Sequence, residues 1–270
     1  MTRWAAGVEY LGTRYCGWQR QGHVPSIQHE IERVLSAVAD HPLTVTAAGR
    51  TDAGVHALNQ VIHFDSEAPR APHAWLLGGN SLLPRDISLR WVQAAAPEFH
   101  ARHKATARRY RYVMWSGRAR SALLEGRVAW LIGRPDAGRM HRAAQALVGE
   151  HDFSAFRDAD CQSPTARRNL HLIAVRRHGD FTVLDVEANA FLHHMVRNIA
   201  GVLMAIGQDK QPESWARTVL ESKDRARGGV TADAAGLCFV GPEYPASFGL
   251  PPAPAPWFPA PPDDRVGGQA

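Results

Sequence analysis

The sequence predicts an α+β protein built from two similar subdomains, each a mostly antiparallel sheet flanked by helices. The order of periodic segments is the first reason. It runs strand, helix, strand, strand in the first part, then strand, helix, strand, strand, helix in the second. A Gly179-Asp180 hairpin signal between two apolar runs is the second. The third is size: 270 residues with 45% hydrophobic content suffice for the cores of two ordinary domains. The expected division is residues 1–103, residues 104–248, and a Pro-rich tail at 249–270. No residue-level repeat links the halves, so their likeness rests on element order. The tail lacks apolar area to offset the cost of ordering, and disorder is expected there.

The elements follow from local patterns. Residues 4–10 form an apolar first strand, and residues 12–22 a loop rich in Gly, Arg, Gln and aromatics. Ser26 suits a helix N-cap, behind which Ile27, Ile31, Val34, Leu35 and Val38 make one stripe. Residues 43–48 are a short strand, 49–56 a Gly-bounded turn, and 59–65 an alternating strand. A short helix at 75–83 and a strand at 87–94 complete the first half. The second opens with a strand at 106–115, with Tyr110 and Tyr112 on one face and Arg109 and Arg111 on the other. Asp136 caps a helix holding Met140, Leu147 and Val148. Strands at 170–177 and 181–189 and helices at 191–206 and 215–222 finish it.

Composition excludes several classes. The net charge of +5, mostly from arginine, suits a polyanionic partner; ordinary arginine use in place of lysine explains it equally. Cys16, Cys161 and Cys238 are scattered and odd in number, which argues against a disulfide framework or a structural zinc site. No secretory signal and no apolar run of membrane-spanning length appear, so a reducing cytoplasm is the expected location. Phosphate-loop, dinucleotide and nucleophile-elbow motifs are missing. His193 and His194 would diverge by about 100° on a helix. They read as polar or RNA contacts rather than a chelating pair, and no residue is assigned to a metal.

Asp52 is the leading candidate for chemistry. It lies in a Gly-bounded turn beside Arg50 and Thr51. A neighbouring guanidinium favours an ionised carboxylate, as a nucleophile requires. On the turn alone, an Asx turn closed by Thr51 and Asp52 is the favoured reading. Arg197 interrupts an otherwise apolar helix with no local acid, so a distant partner such as Asp52 is expected; a solvent-facing position is the alternative. Tyr110, set among Arg108, Arg109 and Arg111, suits a flipped base held by stacking and arginine–phosphate contacts. It also suits ordinary core packing.

Six segments resemble the tRNA pseudouridine synthase A (TruA) family in order: YLGTRYCGWQRQ (10–21), GRTDAGVHA (49–57), ARRYRY (107–112), HDFSAF (151–156), FLHHMVRNIAG (191–201) and GLCFVGPEYP (236–245). The resemblance implies an isomerase that turns uridine into pseudouridine at positions 38, 39 and 40 of the tRNA anticodon stem-loop. It implies a homodimer, a cleft between the subdomains as active site, and no metal or organic cofactor. By position, Asp52 matches the catalytic nucleophile and Tyr110 the tyrosine packed on the target base. Arg197 matches the basic partner of the aspartate, and Arg50 an arginine that helps flip the nucleotide.

Overall fold

Strand pairing decides how the two halves meet. The structure, a computed structural model describing residues 1–254, begins with β1 (Thr2–Tyr10). Then come α1 (Ile27–Ala39), β2 (Thr46–Ala47), β3 (His56–Ser66), α2 (Pro72–Leu82) and β4 (Ile87–Ala94). The second half contains β5 (Ala107–Ser116), β6 (Ala129–Leu131), α3 (Ala137–Ala144), β7 (Gly149–Asp152), β8 (Arg167–His178) and β9 (Phe181–Ala188). It ends with α4 (Met195–Gly207), α5 (Trp215–Ser222) and β10 (Leu237–Glu243). The expected Pro-rich tail lies mostly outside the described residues.

The expected α+β class is present, and the two sheets are the wings of one ten-stranded sheet. Its order is β4-β1-β3-β10-β5-β9-β8-β7, with β2 beside β3 and β6 beside β5. Most pairs are antiparallel; β10 with β3 and β6 with β5 are parallel. The joining strand is β10. Its Phe239 stands opposite Ala57 of β3 on one side and opposite Tyr110 of β5 on the other. β10 is not among the strands expected from the sequence; its Gly241-Pro242 step weakens the strand pattern. Pro242 is tolerated near the strand's end, beyond a register shift between Phe239 and Gly241.

Each wing has its own core. One gathers Ile27, Ile31 and Leu35 of α1 with Trp75 of α2, Ile62 and Phe64 of β3, and Trp18. The other packs α3, α4 and α5 on Tyr112, Met114, Leu184 and Val186. Tyr110 is packed against both. Helix α1 follows the expected stripe from Ser26, yet the Ser26 hydroxyl makes no capping bond. Asp136 does cap α3, accepting from the Arg139 N–H at 3.0 Å.

One helix boundary departs from expectation. The 191–206 pattern predicts a helix from residue 191, but α4 starts at Met195. His194 takes a left-handed conformation, φ 59°, which breaks the helix before it. Buried Met195, Val196, Ile199, Val202, Leu203 and Ile206 then anchor α4. Each fully buried side chain of this size contributes about 1.5–3 kcal/mol, so α4 is a firm platform for the charged groups at its start.

Candidate active site

The Gly49–Val55 connection between β2 and β3 is held from three sides. The Asp52 carbonyl accepts from the Val55 N–H at 3.2 Å, closing a tight turn. Gly54 supplies the left-handed residue that this turn needs, φ 78°. The Tyr10 hydroxyl bonds the Thr51 hydroxyl at 2.8 Å, and the Trp18 N–H donates to the Thr51 carbonyl at 3.0 Å. His56 anchors the far end: its Nδ1 accepts from the Gly12 N–H at 3.0 Å, and its Nε2 reaches the Ala235 carbonyl at 3.2 Å.

The Asp52 side chain is thereby left 20% exposed, facing the other wing. Among the described residues no turn backbone bonds its carboxylate, so the Asx-turn reading does not hold. Arg197 Nη1 lies 3.7 Å from Oδ2. His193 Nε2 is 3.4 Å from Oδ1 and His194 Nε2 is 3.4 Å from Oδ2. Arg197 is thus turned inward, only 16% exposed, and the alternative of a solvent-facing guanidinium is set aside. Its Nε donates to the Ala232 carbonyl at 2.8 Å. Gly201 permits that contact, because a Cβ there would stand 1.8 Å from the Val230 carbonyl oxygen.

His193 and His194 correct the sequence reading. They precede α4 instead of riding on it, and their rings stack at 3.9 Å between centroids. Both turn Nε2 toward Asp52. Behind them Asp158 lies 2.7 Å from His194 Nδ1 and 3.5 Å from His193 Nδ1. Burial works to raise the Asp158 carboxyl. Hydrogen bonds from the Asp160 N–H and from His194, with both histidine charges, bring it below the usual carboxylate range instead. Asp158 is not among the residues the sequence singles out; its only signal is an acid following the HDFSAF segment.

Tyr110 stands across β10 from the end of the Asp52 loop. Its ring meets Phe239 at 4.9 Å and Phe191 edge-on at 5.1 Å. Burial first, and then the Asp52 charge, push its phenol well above the usual tyrosine range, so it stays neutral. Tyr10 is pushed up in the same way, chiefly by burial.

The arginines near Tyr110 differ from expectation. Arg108 donates to the carbonyls of Ala48, Arg102, Ala105 and Asn189. Arg109 pairs with Glu187 and Glu243, and Arg111 with Asp185. They brace the sheet. Arg50 is exposed and makes no ion pair with Asp52 among the described residues, so the cation beside the carboxylate is Arg197.

No helix among the described residues is long and apolar enough to cross a membrane. A family model described as tRNA pseudouridine synthase matches residues 6–104 and 143–245. A tRNA pseudouridine synthase A from Escherichia fergusonii is 53% identical over 250 residues, 93% of each chain. One from Aeromonas hydrophila is 54% identical over 252 residues, 93% of this chain and 94% of its own. A third, from Shigella boydii serotype 4, is 53% identical over 250 residues, again 93% of each chain. With a matched model over most of its length and relatives this similar end to end, the chain belongs to the tRNA pseudouridine synthase family.

Proposed function

We propose that the chain isomerises uridine to pseudouridine at positions 38, 39 and 40 of the tRNA anticodon stem-loop, with Asp52 as nucleophile. One observation carries the assignment of Asp52: a single carboxylate, free of its own turn, faces Arg197 across the junction of the wings at 3.7 Å. The target uridine must leave its stack to reach that carboxylate. Arg50, exposed at the rim, helps extrude it, and the Tyr110 ring packs on it. Asp52 forms a bond to the flipped nucleotide as the N1–C1′ bond breaks, the uracil turns, and the bond to Asp52 is given up as a C5–C1′ bond forms. C5 loses a proton and N1 gains one, so the product is an isomer and no cofactor is consumed. Arg197 keeps the Asp52 carboxylate placed and charge-balanced throughout. Water must stay out during rotation, or the opened sugar is hydrolysed. The division at residues 103 and 104 fits this reading: residues 1–103 carry the aspartate, and residues 104–248 carry Tyr110 and Arg197. The chain acts as a cytoplasmic homodimer.

Incubating wild-type protein and Asp52→Asn with an anticodon stem-loop transcript, followed by nucleoside analysis, tests the assignment. Wild type is expected to form pseudouridine without free uracil, and the variant neither. Pseudouridine from Asp52→Asn at the wild-type rate overturns the role of Asp52. Free uracil from wild type makes the protein a hydrolase.

A further inference from the structure

Asp52, His193 and His194 each present one ligand atom, and these atoms lie within 4.8 Å of one another. His193 Nε2 lies 3.4 Å from Oδ1 and His194 Nε2 lies 3.4 Å from Oδ2, the two oxygens of the one carboxylate. Zinc takes imidazole and carboxylate ligands at about 2.0–2.2 Å, which spaces tetrahedral ligands about 3.4 Å apart. Three protein ligands would leave the fourth position open. The shell behind them is also suited to a metal. Asp158 accepts from His194 Nδ1 at 2.7 Å, which puts the proton on Nδ1 and turns the Nε2 lone pair toward Asp52. The other Asp158 oxygen lies 3.5 Å from His193 Nδ1, which has no hydrogen-bond partner, so Asp158 orients the His194 ring and only faces the His193 ring.

We propose that Asp52, His193 and His194 form a reversible binding site for zinc, and that zinc bound there shuts off the enzyme by occupying the carboxylate. Two imidazoles select zinc, cobalt or nickel over magnesium, which prefers oxygen ligands and keeps its water. Magnesium accompanying RNA therefore does not compete. The Arg197 guanidinium 3.7 Å from Oδ2 repels a dication, which weakens the site and makes the metal a reversible occupant. The inhibition rests on Asp52 being the nucleophile; the binding does not.

Titration of the full-length protein with zinc chloride by calorimetry, and with cobalt chloride by visible absorption, reads the site without activity. One ion per chain is expected, with tetrahedral-type cobalt bands, unaffected by excess magnesium. Asp158→Asn is expected to weaken zinc binding about 10–100-fold by releasing the His194 ring. The His193→Gln, His194→Gln double variant is expected to abolish it, with circular dichroism showing whether the fold persists. Asp52→Asn, which keeps the loop's shape, is expected to weaken it too. Absence of one-to-one binding in wild type overturns the site. So does undiminished binding in both Asp52→Asn and the double variant, which would move the metal to another part of the protein. Stoichiometric binding without loss of pseudouridine formation leaves the metal site standing and refutes the inhibition, whereas the role of Asp52 stands or falls with the activity of Asp52→Asn.

Discussion

Arg197 holds two partners through different nitrogens: its Nη1 lies 3.7 Å from the Asp52 carboxylate, and its Nε donates to the Ala232 carbonyl at 2.8 Å. The backbone bond fixes the guanidinium, so its charge reaches Asp52 from one direction. Arg197→Ala removes charge and tether together. It is expected to lower kcat on the order of 10–100-fold, the loss of about 1.5–3 kcal/mol. Arg197→Lys keeps a charge and loses the fork, and is expected to fall between. Single-turnover rates on a stem-loop transcript check this, and equal rates for Ala and wild type would remove Arg197 from the site.

Tyr110 offers a ring and a neutral hydroxyl. Tyr110→Phe keeps the stacking surface and is expected to leave stem-loop affinity near that of wild type, with any loss confined to kcat. Tyr110→Ala loses the stacking as well, worth about 1–3 kcal/mol per base. Kd and kcat for the two variants separate these effects. Full activity in Tyr110→Ala contradicts the packing role.

Arg50 is exposed and has no ion pair or side-chain hydrogen bond among the described residues, so its removal carries little structural cost. Arg50→Ala is expected to change stability by less than about 0.5 kcal/mol while slowing pseudouridine formation. Stem-loop binding by wild type is expected to weaken steadily with added salt as counterions are released. Urea melts and a salt series of binding isotherms measure both. An Arg50→Ala rate equal to wild type removes Arg50 from nucleotide flipping.

His63 ties acid stability to the fold. Its Nδ1 accepts from the Ala101 N–H at 3.1 Å, which requires a neutral ring on that side. Burial first, then the charges of His100 and Arg3, lower it to about 4 from the ordinary 6.5. The unfolded chain therefore takes up this proton before the folded one. The stability is fully present above about pH 6.5 and is lost as pH falls toward about 4, up to roughly 3 kcal/mol. His63→Asn keeps an acceptor and removes the titration. Its denaturant midpoint is expected to vary less between pH 7 and pH 4 than that of wild type, and identical pH curves would exclude His63 as the cause.

Local spacing made most elements legible. The stripe from Ile27 to Val38, the span of β4 and the Gly179-Asp180 hairpin all follow from backbone periodicity and turn chemistry, which neighbouring residues encode. Asp52 and Arg197 stood out for a different reason: a carboxylate in a glycine turn and a guanidinium in an apolar helix are each costly unless matched elsewhere. That logic shows that a partner is needed without measuring the match.

Tertiary structure decided the rest. Only strand pairing shows that β10 joins the wings and sets Tyr110 across one strand from the end of the Asp52 loop. Only the left-handed turn at His194 takes both histidines off the helix and stacks them between Asp52 and Asp158. Periodicity cannot report such a break, because the apolar pattern of α4 continues back through Phe191 and Leu192. Neighbouring residues encode the types of the elements and mark the residues able to do chemistry. Which of them meet depends on contacts between distant segments, and these exist only once both wings have packed.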